Sequence, residues 1–210
     1  MVLFEVQTRD GKGRCLIATT HIKAGSIVIK EYPFLVAEDA YDAIYQLYGG
    51  EDEGESYGDD GEGNEDEGKQ KRDAFEGLAP YTLDKYVISY EDICEEMSTL
   101  PEYVRESLAQ IPKNKLRLYL AKFYRNAFTY TSPPCALLSL GSLMNHSCDN
   151  NVDFEVHARG YYIFKANRDI QAGEELCDSY LQTYKSTKKR KDRLLHQYGF
   201  ACTCAKCQST

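Results

Sequence analysis

No run of roughly 20 apolar residues occurs in the 210-residue chain, so a membrane-spanning helix is not expected. A secretory leader is not expected either, because Met1-Val2-Leu3-Phe4-Glu5-Val6 carries a charge at Glu5 and Arg9 follows closely. Residues 37–112 contain no histidine and a single cysteine, Cys94, too few ligands for a zinc finger of their own. Residues 51–67 contain no basic side chain. The basic run from Lys188 to Arg193 has no interleaved aromatic residue on which bases could stack, so it reads as a solvated helix face and direct nucleic-acid binding is not expected. Binding through that run would show a steep salt dependence. These absences leave a soluble protein of nucleus or cytoplasm, with no membrane partner.

What is present begins with eight cysteines. A reducing compartment turns clustered cysteines into metal ligands rather than disulfides. Cys202, Cys204 and Cys207 crowd the end of the chain, whereas Cys15, Cys94, Cys135 and Cys177 are scattered and read as small buried apolar residues. The net charge of -8 comes mostly from ten acids between Glu51 and Glu67; without them the remainder is near +2. With its glycines, the stretch 49–68 is too polar and self-repelling to enter a core and reads as a disordered loop.

Short strands are expected at Arg14–Ala18 and Ser26–Glu31. A hairpin is expected from Val152–Val156, through a turn at Ala158-Arg159-Gly160, to Tyr161–Lys165. The turn Ile22-Lys23-Ala24-Gly25-Ser26-Ile27 is echoed by Ile170-Gln171-Ala172-Gly173-Glu174-Glu175, one device used twice. Helical spacing appears at Val104, Leu108 and Ile111, again at Leu116, Leu120, Phe123 and Ala127, and a last helix is expected over 187–197.

Cys202, Cys204 and Cys207 stand at C-x-C-x2-C spacing, which can reach one ion but leaves its tetrahedron one ligand short. Cys148, within Asn145-His146-Ser147-Cys148, is the best fourth ligand. Four thiolates with no open position would make the zinc structural.

Taken in order, Gly11-Lys12-Gly13-Arg14, Asn145-His146-Ser147-Cys148, Gly173-Glu174-Glu175-Leu176-Cys177-Asp178-Ser179-Tyr180 and the terminal cysteines resemble the SET domain with its post-SET zinc site. Arg125-Asn126-Ala127-Phe128-Thr129, Asp178-Ser179-Tyr180-Leu181 and Gln197-Tyr198-Gly199-Phe200 are most similar to the SET and MYND branch. The resemblance covers about 1–36 and 113–207. It departs from the branch in having no MYND finger and no counterpart of the branch's C-terminal helical domain, so substrate recognition by those parts is not carried over.

The resemblance implies an α+β fold: a mostly β SET domain of short strands in small sheets, a knot-like C-terminal part, inserted helices and a zinc site. It divides the chain into 1–36 as the first part of the SET domain, 37–112 as an insertion with the acidic loop and helices, 113–184 as the second part, and 185–210 as a helix with the zinc-binding segment. It implies a protein-lysine N-methyltransferase that uses S-adenosyl-L-methionine and acts on a protein or peptide lysine, histone tails included. A catalytically silent SET-like module that binds a protein or peptide is the alternative, and cofactor binding separates the two. The implied cofactor residues are Gly11, Lys12, Gly13, Arg14, Asn126, Asn145, His146, Tyr180 and Phe200. Tyr180 is the implied catalytic residue, Phe128 and Tyr198 the implied lysine channel, and Cys148, Cys202, Cys204 and Cys207 the zinc ligands.

Overall fold

The computed structural model describes residues 2–49, 64–85, 87–129, 134–181 and 186–208. The chain forms two compact units, one built from Met1–Pro33 together with Leu138–Thr210 and the other from Phe34–Leu137. In chain order the first unit opens with β1 (Phe4–Arg9), β2 (Gly13–Ala18) and β3 (Ile27–Glu31). The second unit follows with β4 (Leu35–Ala37), α1 (Ala40–Tyr48), α2 (Asn64–Glu76), α3 (Tyr90–Met97), α4 (Glu102–Ala109), α5 (Lys113–Asn126), β5 (Phe128–Thr129) and β6 (Cys135–Leu137). The chain then completes the first unit with β7 (Asn145–His146), β8 (Val152–Val156), β9 (Tyr162–Ala166), β10 (Glu175–Asp178), α6 (Thr187–Tyr198) and α7 (Ala205–Gln208).

The first unit holds two small sheets, ordered β1-β2-β10-β7 and β3-β9-β8. Alternation makes β8 and β9 a hairpin in continuous register from Val152–Ala166 to Val156–Tyr162. The two echoing turns meet each other: Ile22 and Ile170 exchange both backbone hydrogen bonds at 2.9 Å, and Gly25 and Gly173 turn with φ of +80° and +88°. Those left-handed angles explain why glycine occupies the same place in both copies. Just before β7, the Glu31 carboxylate accepts the backbone N–H of Leu140 at 3.0 Å and of Gly141 at 2.6 Å. That short turn delivers Asn145 and His146 into the sheet.

β7 and β10 run parallel, pairing Asn145 with Cys177 and His146 with Asp178. This register places two segments more than thirty residues apart in sequence side by side, and the site is built on it.

The second unit is helical around Ile44, Phe75, Leu108, Leu116 and Leu120, with a three-stranded sheet ordered β4-β6-β5. Lys122, only 2% exposed, donates from its ammonium to the carbonyls of Glu76 at 2.8 Å and Leu78, closing the C-terminal end of α2. The hydroxyls of Tyr48 and Tyr119 both donate to the Glu76 carboxylate.

Two expectations are corrected here. Residues 64–68 are not loop but the start of α2; residues 50–63 of the same segment lie outside the described residues. Lys71 bridges Glu67 at 2.7 Å and Lys69 bridges Asp73 at 3.4 Å, both four residues apart, and Phe75 anchors the helix in the core. Composition averaged over 49–68 hid that change of pattern. Cys94 is exposed on α3 rather than buried, while Cys15 is buried and Cys135 and Cys177 are partly so. Among the described residues no helix is long and apolar enough to cross a membrane.

Candidate functional site

A cavity of about 420 Å³ opens in the first unit, lined by Gly11, Lys12, Asn145, His146, Ser147, Cys177, Tyr180 and the segment Phe200–Ala205. That volume falls in the range of small-molecule and cofactor sites. The turn between β1 and β2 supplies one wall. Gly11 has φ of +72° and no atom within 4 Å of where a Cβ would stand, so its backbone faces open space that a ligand can approach closely.

Glu175 organises that wall. Its carboxylate meets the Lys12 ammonium at 2.5 Å and accepts from the Asn145 carboxamide at 2.9 Å, and the same carboxamide donates to the Arg14 carbonyl at 3.3 Å. The Glu175 side chain is 8% exposed and that of Lys12 is 53%, so the acid is fixed and the lysine end faces outward. Its carboxylate raises the Lys12 ammonium above its ordinary value. The role of Glu175 is not visible in its own segment of sequence, since its partners lie 30 and 163 residues away. Glu175→Gln keeps the shape and removes the charge, and it is expected to weaken cofactor binding by roughly tenfold with the fold retained, about 1.4 kcal/mol. Isothermal titration against the cofactor checks this; unchanged affinity would leave the carboxylate with a packing role only.

His146 has both ring nitrogens engaged. Nδ1 accepts the backbone N–H of Tyr180 at 3.0 Å, which places the ring proton on Nε2, 3.2 Å from the Cys148 sulfur. Burial holds the ring well below its ordinary value, at about 4, so it is neutral and donates N–H to sulfur.

The Tyr180 hydroxyl donates to the Met144 carbonyl at 2.6 Å. Its ring lies 4.7 Å from that of Tyr198, 5.3 Å from His146 and 6.5 Å from Phe200. Burial, together with the nearby Asp178 carboxyl, pushes the phenol far above its ordinary value, so it is a neutral hydroxyl and not a base. Asp178 is itself pushed up to about 6 by burial, against a hydrogen bond from the Ser179 N–H. The unfolded chain releases this proton near pH 3.9 and the folded chain only near pH 6, so folding stability falls as pH rises through that window. The difference of about two units corresponds to roughly 3 kcal/mol. Asp178→Asn is therefore expected to raise Tm by several degrees at pH 8 and little at pH 4.5. Thermal unfolding at both values checks it, and equal shifts would show that the carboxylate is solvated.

At the cavity wall formed by Phe200–Ala205, the sulfurs of Cys148, Cys202, Cys204 and Cys207 lie within 4.8 Å of one another. Cys148 is 3.9 Å from Cys202 and 3.5 Å from Cys207. A tetrahedron of Zn–S bonds near 2.3 Å has edges of about 3.8 Å, so the spacing suits zinc and is far too long for a disulfide. Burial pushes the Cys148 thiol up to about 12. Cys204 moves the other way despite burial, to about 7, through hydrogen bonds from the Cys202 thiol and from backbone N–H groups. A bound dication would ionise all four.

The structure thus brings together Gly11, Lys12, Asn145, His146, Tyr180, Phe200, Cys202 and Cys204 around one cavity. Gly13 and Arg14 continue from its wall into β2, Tyr198 packs against Tyr180 with the rings tilted, and Cys148 and Cys207 complete the thiol cluster. Asn126 and Phe128 belong to the second unit, where the Asn126 carboxamide donates to the carbonyls of Ala79 at 2.6 Å and Lys122 at 2.7 Å. The basic face expected on α6 is corrected at Arg190, which is 5% exposed and turned toward the thiols. Nothing in a run of five basic residues marks one of them as the inward member except Leu194, four positions on and fully buried.

The SET domain family matches residues 13–181. A SET domain-containing protein of Acanthamoeba polyphaga mimivirus is 28% identical over 208 residues, covering 93% of this chain and 74% of the viral one. Histone-lysine N-methyltransferase set5 of Schizosaccharomyces pombe is 39% identical over 90 residues, covering 42% of this chain and 28% of its own. Histone-lysine N-methyltransferase SMYD3 of Homo sapiens is 32% identical over 128 residues, covering 57% and 30%. Among solved structures, Rubisco LSMT bound to AdoMet superimposes with a TM-score of 0.65 at 14% identity, over 96% of this chain and 52% of that one. The chain therefore spans about three quarters of the viral relative, under a third of the two enzymes and half of the solved structure.

Proposed function

The chain belongs to the SET-domain family, and from that premise we propose that it is a protein-lysine N-methyltransferase that takes S-adenosylmethionine in the cavity beside Tyr180. The observation that carries the reading is the convergence of Gly11, Lys12, Asn145, His146, Tyr180 and Phe200 on one cavity from four separate segments of the chain. The donor set suits that cofactor. Lys12 and the open backbone at Gly11 would hold its carboxylate end, Asn145 and the aromatic ring of Phe200 its nucleoside, and Tyr180 would face the sulfonium methyl. The similarity to enzymes named histone-lysine N-methyltransferase, and to a SET structure bound to AdoMet, supports the same assignment.

The cofactor supplies an activated methyl on a cationic sulfur. The protein has to bring a neutral amine into line with it, at about 3 to 3.5 Å. A free lysine is neutral only about four times in ten thousand at pH 7, a deficit of roughly 4.6 kcal/mol. An aromatic wall of Tyr180 and Tyr198, close to the sulfonium charge, disfavours the ammonium and lowers that deficit. Tyr180 then accepts an N–H of the amine and aims its lone pair at the methyl. The lysine ammonium would lose its proton to water first, and the neutral amine would then take the methyl that the cofactor supplies, the bonding electron pair staying with the sulfur.

The substrate is a protein or peptide lysine, histone tails included, and a nuclear or cytoplasmic setting fits a cluster of reduced thiols. The roles of Asn126 at the cofactor and Phe128 in the channel rest on the resemblance alone. Incubation with labelled S-adenosylmethionine, purified histones and cell extract tests the proposal. A labelled protein band is expected; failure to bind the cofactor at all would overturn it in favour of a silent SET-like module.

A further inference from the structure

Helix α6 carries Lys188, Lys189 and Arg193 exposed to solvent, but Arg190 points the opposite way, on the same buried face as Leu194. Its guanidinium Nη2 donates to the Thr187 hydroxyl at 3.0 Å and to the Lys206 carbonyl at 3.3 Å, and it lies 3.6 Å from the Cys207 sulfur. Two of these three partners belong to α7, the short helix that presents the last thiol of the cluster. A guanidinium so deeply placed needs a compensating negative charge nearby. Four thiolates around a dication would carry a net charge of two minus, and the Cys207 sulfur sits at contact distance.

We propose that Arg190 is the cationic positioning residue of the metal site: its guanidinium fixes Cys207 and the Lys206 carbonyl, offsets one of the two negative charges of the zinc–thiolate cluster, and so slows loss of the metal. The proposal rests on zinc as the occupant of the four cysteines. It assigns a purpose to a side chain that the basic character of α6 otherwise conceals. Two donors then serve the cluster: Arg190 at Cys207 and Cys148 from α6, and the His146 ring at Cys148 from β7. Partners of this kind around metal ligands typically change metal affinity by about 10- to 100-fold when removed.

The test uses the full chain loaded with zinc and a chromogenic chelator in excess, with the rate of zinc transfer as the readout. Arg190→Gln keeps amide donors and removes the charge; Arg190→Lys keeps the charge and removes the planar fork. The Gln variant is expected to release zinc about tenfold faster than the unmodified chain, with the Lys variant between them. Lys189→Gln, on the exposed face of the same helix, is expected to release at the original rate. An Arg190→Gln rate equal to the unmodified one, or a Lys189→Gln rate raised equally, overturns the proposal. Should Arg190→Gln fail to load zinc, the Lys variant decides: release within about threefold of the unmodified chain supports the role of charge, and release more than about tenfold faster overturns it. An unmodified chain that binds no zinc overturns both this proposal and the zinc assignment. Methyl transfer is not read, so a failure of the methyltransferase reading leaves the measurement intact.

Discussion

A Cys148→Ser variant is expected to lose its zinc and, with it, most of its affinity for S-adenosylmethionine. Three thiols remain at Cys202, Cys204 and Cys207, but a serine hydroxyl does not ionise to complete the shell, and structural zinc sites depend on all four ligands. A loss of at least about 100-fold in zinc affinity is expected, more than for a partner outside the ligand shell. The effect on the cofactor follows from geometry. Cys202 and Cys204 lie in the segment Phe200–Ala205 that walls the cavity, and Cys148 is two residues beyond His146, whose ring receives the Tyr180 N–H. Without the ion, the buried thiols have no charge to bind them together, and the wall loses its anchor to β7. Metal analysis of the purified variant and titration with the cofactor measure both effects. Cys94→Ser, exposed on α3 in the second unit, is the control and is expected to change neither. Unchanged zinc content in Cys148→Ser would mean that the fourth ligand comes from elsewhere.

Strands and helices were legible wherever one face is buried. The period of two at Val152–Val156 and the helical spacing of Leu116, Leu120 and Phe123 describe β8 and α5 directly. The four thiols were legible from spacing, because C-x-C-x2-C is a local pattern and Cys148 sits in the other motif-bearing segment. What was not legible is pairwise and distant. Glu175 and Lys12 are 163 residues apart, and no periodicity in either segment says that β10 and β2 will be neighbours. Arg190 was hidden by its neighbours: a single inward cation among outward ones has the composition of a solvated face. Nor did the acidic segment reveal that helix begins at Asn64, since its average polarity masks the pairs Glu67–Lys71 and Lys69–Asp73. In the structure, residues 113–137 lie in the helical unit. The α5 helix packs its apolar stripe, Leu116, Leu120 and Phe123, into the same core as α1, a choice of partner that the stripe alone does not encode.

Tyr180→Phe is expected to lower methyl transfer by roughly ten- to a thousandfold, about 1.4 to 4 kcal/mol of barrier, while cofactor affinity stays within about threefold. The substitution removes one oxygen and keeps the ring that packs at a tilt against Tyr198 and His146. Because the hydroxyl proton is committed to the Met144 carbonyl, the oxygen is left to accept from the incoming amine. Losing it frees the amine to rotate its lone pair away from the methyl, and it leaves the Met144 carbonyl without that donor. The second consequence is a stability cost of about 1 kcal/mol, visible as a fall in Tm of a few degrees. Single-turnover rates with saturating cofactor separate the two. The pH profile carries a further test. Burial keeps the Tyr180 phenol neutral across the working range, so the proton that must leave before transfer is the substrate lysine's own. The rise of rate with pH should therefore persist in Tyr180→Phe at a lower level. A variant whose rate no longer rises would show that the tyrosine had been the base, and one that keeps the full rate would reduce Tyr180 to a wall of the channel.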